Sequence, residues 1–189
     1  MQISSLNRPW PWSPASAPPD PQTFAPNSIL LASEGKAIPV EAVDFAANLA
    51  QKAKAPVHVF LIARIWGSGF GLPHPGLMPT KREWQAQHDS VADVVRQLKR
   101  RGVEATGGVV STRNASGRIL AEIKRRAPDA VVMAAPPARH WLFAGLFWDQ
   151  EPYRVRRLAG APVYIVTENN DARPAGGTPT KKRGPKLAA

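Results

Sequence analysis

The chain has 189 residues, enough for one domain with a hydrophobic core and extra segments at its ends. It contains no cysteine, which excludes disulfide bonds, thiolate metal sites and cysteine nucleophiles. No apolar run approaches the roughly 20 residues of a membrane-spanning helix, and the N-terminus lacks the apolar core of a signal peptide. These features predict a cytoplasmic protein.

The net charge of +11 raises the question of an acidic partner. Many of the basic residues cluster over 96–101 and 124–126, at the ends of two predicted helices. Cations at a helix C-terminus complement the helix dipole, so a solvated structural role is the simpler interpretation. A surface for an acidic partner is the alternative.

The first 27 residues contain seven prolines, which lack the N–H that helices and central strands require. We predict a disordered proline-rich arm over residues 1–27. Trp10 and Trp12 are unusual in such a segment, and they either pack back onto the domain or bind a partner.

Strand and helix signals alternate from Ser28 onward. Ile29 to Ala32 is an apolar run typical of a strand buried on both faces. A helix with Pro39 in its first turn follows, and then a strand over residues 57–65. This alternation predicts an α/β domain over residues 28–168, with a parallel sheet covered by helices on both faces.

The second half of the predicted domain continues the pattern. Thr80 and Glu83 form a capping box that begins a helix, and Gly102 stands where that helix should end. The remaining strands are predicted at about 103–110, 130–133 and 163–166, and the remaining helices at 116–127 and 153–159. The polar segment 169–189 is predicted to be a disordered basic tail.

Three segments carry a resemblance to a known family: ILLASEGKAIPVEAVDFAANLA, DAVVMAAPP and VRRLAGAPVYIV. In order and spacing they resemble the universal stress proteins over roughly residues 28–166. The resemblance implies a five-stranded parallel sheet in the order 3-2-1-4-5, of the adenine-nucleotide alpha-hydrolase-like kind. It also implies a homodimer formed through the last strand, by Val163, Tyr164, Ile165 and Val166.

Many members of that family bind ATP in a crevice between strands one and four. The resemblance places there Ser33, Glu34, Gly35, Ile62, Met133, Ala134 and Pro137. The family has glycines where this chain has Ala134 and Pro137, and proline offers no N–H to a phosphate. We therefore predict a degraded nucleotide site and no cofactor. The alternative is a retained ATP site, which would allow at most a weak ATPase.

An aromatic stretch stands in place of the phosphate-binding loop. Its candidate partner-binding residues are Trp141, Phe143, Phe147 and Trp148. They either cover the sheet or form an exposed anchor for an unidentified protein partner. A membrane-surface contact is a third option, which the short and weakly basic stretch disfavours.

Other chemistry is poorly supported. The four histidines lack metal-ligand spacing, so we predict no metal site, and His58 in its strand is expected to be a packed side chain. The tail cations Lys181, Lys182, Arg183 and Lys186 allow non-specific contact with nucleic acid. The sequence thus predicts a non-enzymatic stress or signalling module, with a nucleotide-binding or a nucleic-acid-associated protein as alternatives.

Overall fold

The computed structural model describes residues 18–34, 37–64, 80–135 and 151–167. Five strands form one sheet in the order β3-β2-β1-β4-β5, and every neighbouring pair is parallel. The predicted fold class and strand order are confirmed. The strands are β1 (Ile29–Glu34), β2 (Val57–Arg64), β3 (Ala105–Thr112), β4 (Ala130–Ala135) and β5 (Val163–Thr167).

Four helices are described beside the sheet: α1 (Val40–Ala53), α2 (Lys81–Arg100), α3 (Ala115–Arg126) and α4 (Glu151–Leu158). The predicted capping box begins α2, because Thr80 accepts from the backbone N–H of Glu83 while the Glu83 carboxylate accepts from that of Thr80. Gly102 follows the end of α2 with a φ of 76°, a left-handed conformation that glycine adopts without strain.

The two faces of the sheet bury separate apolar clusters. Leu31, Val59 and Leu61 contribute to the cluster beneath α1 and α2, whereas Leu30 and Ile165 contribute to the one beneath α3 and α4. Side chains alternate between the two faces along each strand, and helices cover both faces of the central strand β1. Its first four residues are therefore all buried and apolar. Its burial on both sides fixes the positions of the other strands.

Gly107 allows α2 to approach the edge strand β3 closely. A Cβ atom at this position would lie 2.4 Å from Cγ1 of Val91 on α2. The absence of a side chain therefore sets the distance between this helix and the sheet.

Residues 18–27 lie against the domain, in contrast to the prediction of a disordered arm over residues 1–27. The hydroxyl of Tyr164 donates a hydrogen bond of 3.0 Å to the carbonyl oxygen of Pro19. The ring of Phe24 lies 6.5 Å from that of Tyr164, and the backbone N–H of Asn27 donates to Asp129. Proline prevents helix formation but does not prevent packing, which the sequence interpretation overlooked. Residues 1–17, including Trp10 and Trp12, lie outside the described residues.

This packing changes the electrostatics of Tyr164. Its burial, and then the negative charge of Asp20, raise the pKa of the phenol well above its usual range. The hydroxyl therefore stays protonated and available as a donor to Pro19.

We expect the 18–27 segment to contribute to stability. Tyr164→Phe removes the hydrogen bond to Pro19 and should lower the free energy of unfolding by about 1 kcal/mol. Phe24→Ala removes a half-buried ring and should lower it by about 2 kcal/mol, less than a fully buried ring would cost. Urea unfolding measures both, with the exposed Tyr153→Phe as the matched control. Unchanged unfolding in both variants would show that the segment is dispensable.

Candidate functional site

A crevice between β1 and β4 is the site that the topology favours. The chain leaves β1 towards β2 on one side and later returns to β4 on the other, so the connections diverge at the carboxyl ends of these two strands. The strand register brings Glu34 beside Ile62, and Ala32 beside Met133. The structure thus brings five of the seven predicted crevice residues together at the carboxyl end of the sheet: Ser33, Glu34, Ile62, Met133 and Ala134. Gly35 and Pro137 lie outside the described residues.

The described crevice residues differ in their access to solvent. Ser33, Ile62 and Met133 are buried, and the last two belong to the apolar cluster on the α3 side. Glu34 and Ala134 are partly exposed. Glu34 is therefore the acidic residue of β1 that reaches the solvent at this end of the sheet, and Ile62 and Met133 are buried beside it.

Strand β4 continues through the position where the resemblance places the first glycine. Ala134 pairs with Val166, and Ala135 pairs with Thr167 on β5. Ala134 also packs against the apolar cluster on the α1 side. At this position the backbone is extended and part of the sheet, whereas a phosphate-binding loop needs N–H groups that turn together towards the ligand.

The aromatic stretch is not part of the described structure. Trp141, Phe143, Phe147 and Trp148 all lie outside the described residues, as do the tail cations Lys181, Lys182, Arg183 and Lys186. The described structure continues at α4, where Pro152 is buried. The choice between a cover for the sheet and an anchor for a partner stays a prediction.

The predicted dimer strand β5 occupies an edge of the sheet. Side chains of all four of its predicted contact residues are buried within the protomer: Val163, Tyr164, Ile165 and Val166. A second chain would therefore pair with the backbone of β5 rather than with these side chains.

A polar cluster lies at the opposite, amino end of the sheet. The side chain of Glu122 on α3 is only 1 % exposed, and it accepts hydrogen bonds from Nε of Arg125 at 3.0 Å and Nε of Arg126 at 2.5 Å. Nε2 of His58 on β2 lies 3.9 Å from Glu122, and Nδ1 lies 2.8 Å from Oγ1 of Thr106. His58 is thus a packed, hydrogen-bonded side chain, as expected.

Burial and charge shift the protonation of this cluster. Burial, followed by the nearby charge of Arg126, lowers the pKa of His58 despite the attraction of Glu122. Burial alone would raise the pKa of Glu122, but its hydrogen bonds from Arg125 and Arg126 outweigh that effect and the pKa is lowered. At pH 7 the cluster therefore contains a neutral His58 beside a charged Glu122, which accepts hydrogen bonds from both arginines. The cluster was not predicted from the sequence, although Glu122, Arg125 and Arg126 are spaced three and four residues apart on one helix.

Within the four described ranges, no group of three metal-ligating side chains lies together. No helix of that part of the chain is long and apolar enough to cross a membrane.

Comparisons with known proteins agree on one family. The profile of the universal stress protein family matches residues 27–167. No curated protein matches the chain. Among solved structures, a universal stress protein from Burkholderia pseudomallei is similar, with 19 % identity and a TM-score of 0.55, over 74 % of this chain and 95 % of that one.

Two further similar structures contain nucleotides. One is the universal stress protein from Archaeoglobus fulgidus in complex with dAMP, with 18 % identity and a TM-score of 0.52, over 75 % of this chain and 97 % of that one. The other is a universal stress protein family protein from Arabidopsis thaliana with AMP bound, with 13 % identity and a TM-score of 0.51, over 80 % of this chain and 98 % of that one. At these identities the likeness establishes the fold.

The lowered pKa of His58 predicts a loss of stability in mild acid. As the pH falls, His58 in the unfolded chain binds a proton at its ordinary pKa of 6.5, whereas folded His58 binds one only at a lower pH. The free energy of unfolding should therefore decrease as the pH drops below about 6.5. The contribution of Glu122 is lost only at lower pH, as its own lowered pKa is crossed. Urea unfolding at pH 7.5 and 5.5 measures the effect. His58→Asn should reduce the difference between the free energies of unfolding at the two pH values. The control His88→Asn, on the exposed side of α2, should preserve that difference. An equal difference in wild type and His58→Asn would contradict the assignment.

Proposed function

The chain belongs to the universal stress protein family, and from this premise we propose that it is a non-enzymatic, cytoplasmic binding module of stress signalling that does not bind ATP in the usual way of the family. It would act through protein contacts, as a homodimer. The observation that carries the proposal is the extension of β4 through Ala135, in register with β5.

The extended end of β4 removes the backbone geometry that phosphates require. Glycines let successive N–H groups approach a phosphate closely. The strand pairing of Ala134 and Ala135 supports an extended backbone, in which successive N–H groups point in opposite directions. The methyl group of Ala134, packed against the α1-side cluster, disfavours a rearrangement into a turn. Pro137, in the following residues, has no N–H to offer.

Protein contacts are the function that we propose for this module. The aromatic stretch that contains Trp141 and Trp148 replaces the phosphate loop, and large aromatic side chains dominate protein-binding hot spots. The edge position of β5 supports dimerisation by backbone pairing with a second copy, because its apolar side chains are already buried within the protomer.

A nucleotide-binding protein is the second candidate. Glu34 retains an acidic group at the end of β1, partly exposed beside the crevice. Two of the similar structures hold dAMP and AMP. This candidate requires a nucleotide pose that depends on Glu34 and not on a glycine-rich loop. A contact between nucleic acid and the basic tail is the third candidate, supported only by Lys181, Lys182, Arg183 and Lys186.

Thermal unfolding with and without 1 mM ATP and magnesium separates the first two candidates. We expect no change in the melting temperature, because a ligand stabilises only what it binds. A site with a dissociation constant one hundredth of the ATP concentration would add about 2.7 kcal/mol.

The control variant in this experiment is Glu34→Ala. A rise in the wild-type melting temperature that this variant abolishes would contradict the proposal and support the nucleotide-binding candidate. A rise that the variant retains would contradict the proposal too, and would place ATP away from Glu34.

A further inference from the structure

Helices α3 and α4 pack together and form one basic layer of the domain. Residues 115–129 and 151–162 contain seven basic residues against three acidic ones, Glu122, Asp129 and Glu151. The basic residues are Arg118, Lys124, Arg125, Arg126, Arg154, Arg156 and Arg157. All of them are exposed except Arg156, which is half-buried. We call this surface the α3–α4 face.

Two of the three acidic residues already have partners within the protein. Glu122 is buried and accepts from Arg125 and Arg126. Oδ2 of Asp129 accepts a hydrogen bond of 2.7 Å from the backbone N–H of Asn27. Because Arg125 and Arg126 are held by Glu122, the excess of positive charge that the α3–α4 face presents to the solvent comes from Arg118, Lys124, Arg154 and Arg157.

Helix stability does not account for one of these cations. Lys124, Arg125 and Arg126 occupy the last turn of α3, where a positive charge complements the helix dipole. Arg118 instead lies in the first turn of α3, where the same dipole opposes it and where no acidic residue compensates. This position favours a role in binding an anion from outside the protein.

An apolar cleft adjoins the charges. It has a volume of about 800 Å³ and lies where the C-terminal ends of α3 and α4 meet residues 24–27. Its lining includes Leu120, Ile123, Lys124, Leu158 and Pro162. On α4, Leu158 is 53 % exposed and Tyr153 is 46 % exposed. Apolar and aromatic groups thus stand beside arginines on the same solvent-facing side of a helix.

We propose that the α3–α4 face binds single-stranded nucleic acid. Arg154, Arg157 and Arg118 contact phosphates, Tyr153 stacks on a base, and the cleft receives an unpaired base. A single strand combines a charged backbone with exposed planar bases, and proteins bind it with a basic surface and aromatic side chains. A duplex keeps its bases paired inside, so it would leave the cleft and Tyr153 unused.

The proposal differs from a contact through the basic tail, because it rests on the folded domain. Its apolar cleft lies at the amino end of the sheet, beside Asp129 and Pro162, whereas the crevice lies at the carboxyl end. ATP binding and strand binding can therefore be tested separately.

Fluorescence anisotropy with a labelled 15-nucleotide single strand, as RNA and as DNA, tests the proposal on the full chain. Arg154→Gln with Arg157→Gln should weaken binding about tenfold. It should also reduce the slope of log affinity against log salt by about 1.4, since each phosphate contact on a single strand contributes about 0.7. Tyr153→Ala should weaken binding about tenfold with an unchanged slope, because stacking carries no charge. Equal melting temperatures would show that the exposed substitutions leave the fold intact.

The matched control is Lys81→Gln with Arg82→Gln, an equal charge change in the exposed first turn of α2 on the other face. It should leave affinity and slope unchanged. The proposal is overturned if this control weakens binding as much as the α4 variant does. It is also overturned if only neutralising Lys181, Lys182, Arg183 and Lys186 weakens binding. Equal affinity for a duplex of the same length would overturn it as well, as would binding of anionic vesicles or polyglutamate without binding of either single strand.

Discussion

Burial of β1 on both faces and both edges is the constraint on which the rest of the structure depends. Its first four residues, Ile29 to Ala32, are almost completely buried, and β2 and β4 pair with its two sides. Crossovers between parallel strands are right-handed, and the chain adds β2 and β3 on one side of β1 before it adds β4 and β5 on the other. Helices α1 and α2 therefore lie on one face of the sheet, and α3 and α4 lie on the other. The same reversal opens the crevice at the carboxyl end of the sheet. Both the candidate nucleotide site and the α3–α4 face therefore follow from the position of one strand.

The two ends of the sheet have different chemistry. At the carboxyl end, Glu34 stands beside a strand β4 that stays paired through Ala135, which favours the loss of the usual phosphate contacts. At the amino end, Glu122 is buried among cations, and an apolar cleft opens between α3 and α4. The two ends of the sheet therefore offer two separate surfaces, the crevice at the carboxyl end and the proposed strand-binding cleft at the amino end. The excess charge of the protein is consistent with use of that surface, since net positive charge favours acidic partners.

The sequence predicted the fold because its signals were local and mutually consistent. The apolar run of β1, the capping box of Thr80 and Glu83, and Gly102 after α2 each indicated one element, and the resemblance supplied the strand order. The predicted crevice residues came together for the same reason, since strand register follows from the alternation of buried side chains. Contacts between distant segments left no such pattern. The hydrogen bond from Tyr164 to Pro19 and the approach of His58 to Glu122 depend on tertiary packing, and a proline-rich composition concealed the packing of residues 18–27.

The central claim is that β4 stays paired with β5 through Ala135, where the resemblance places the start of a phosphate-binding loop. Amide hydrogen exchange at Ala135, resolved by NMR in the absence of ligand, tests it most directly. Pairing of Ala135 with Thr167 predicts slow exchange there, comparable with that of Val131 in the same strand. Exchange of the Ala135 amide as fast as that of an exposed loop, beside a protected Val131, would show that the strand ends earlier and that the backbone is free to turn towards a phosphate. That result would contradict the account.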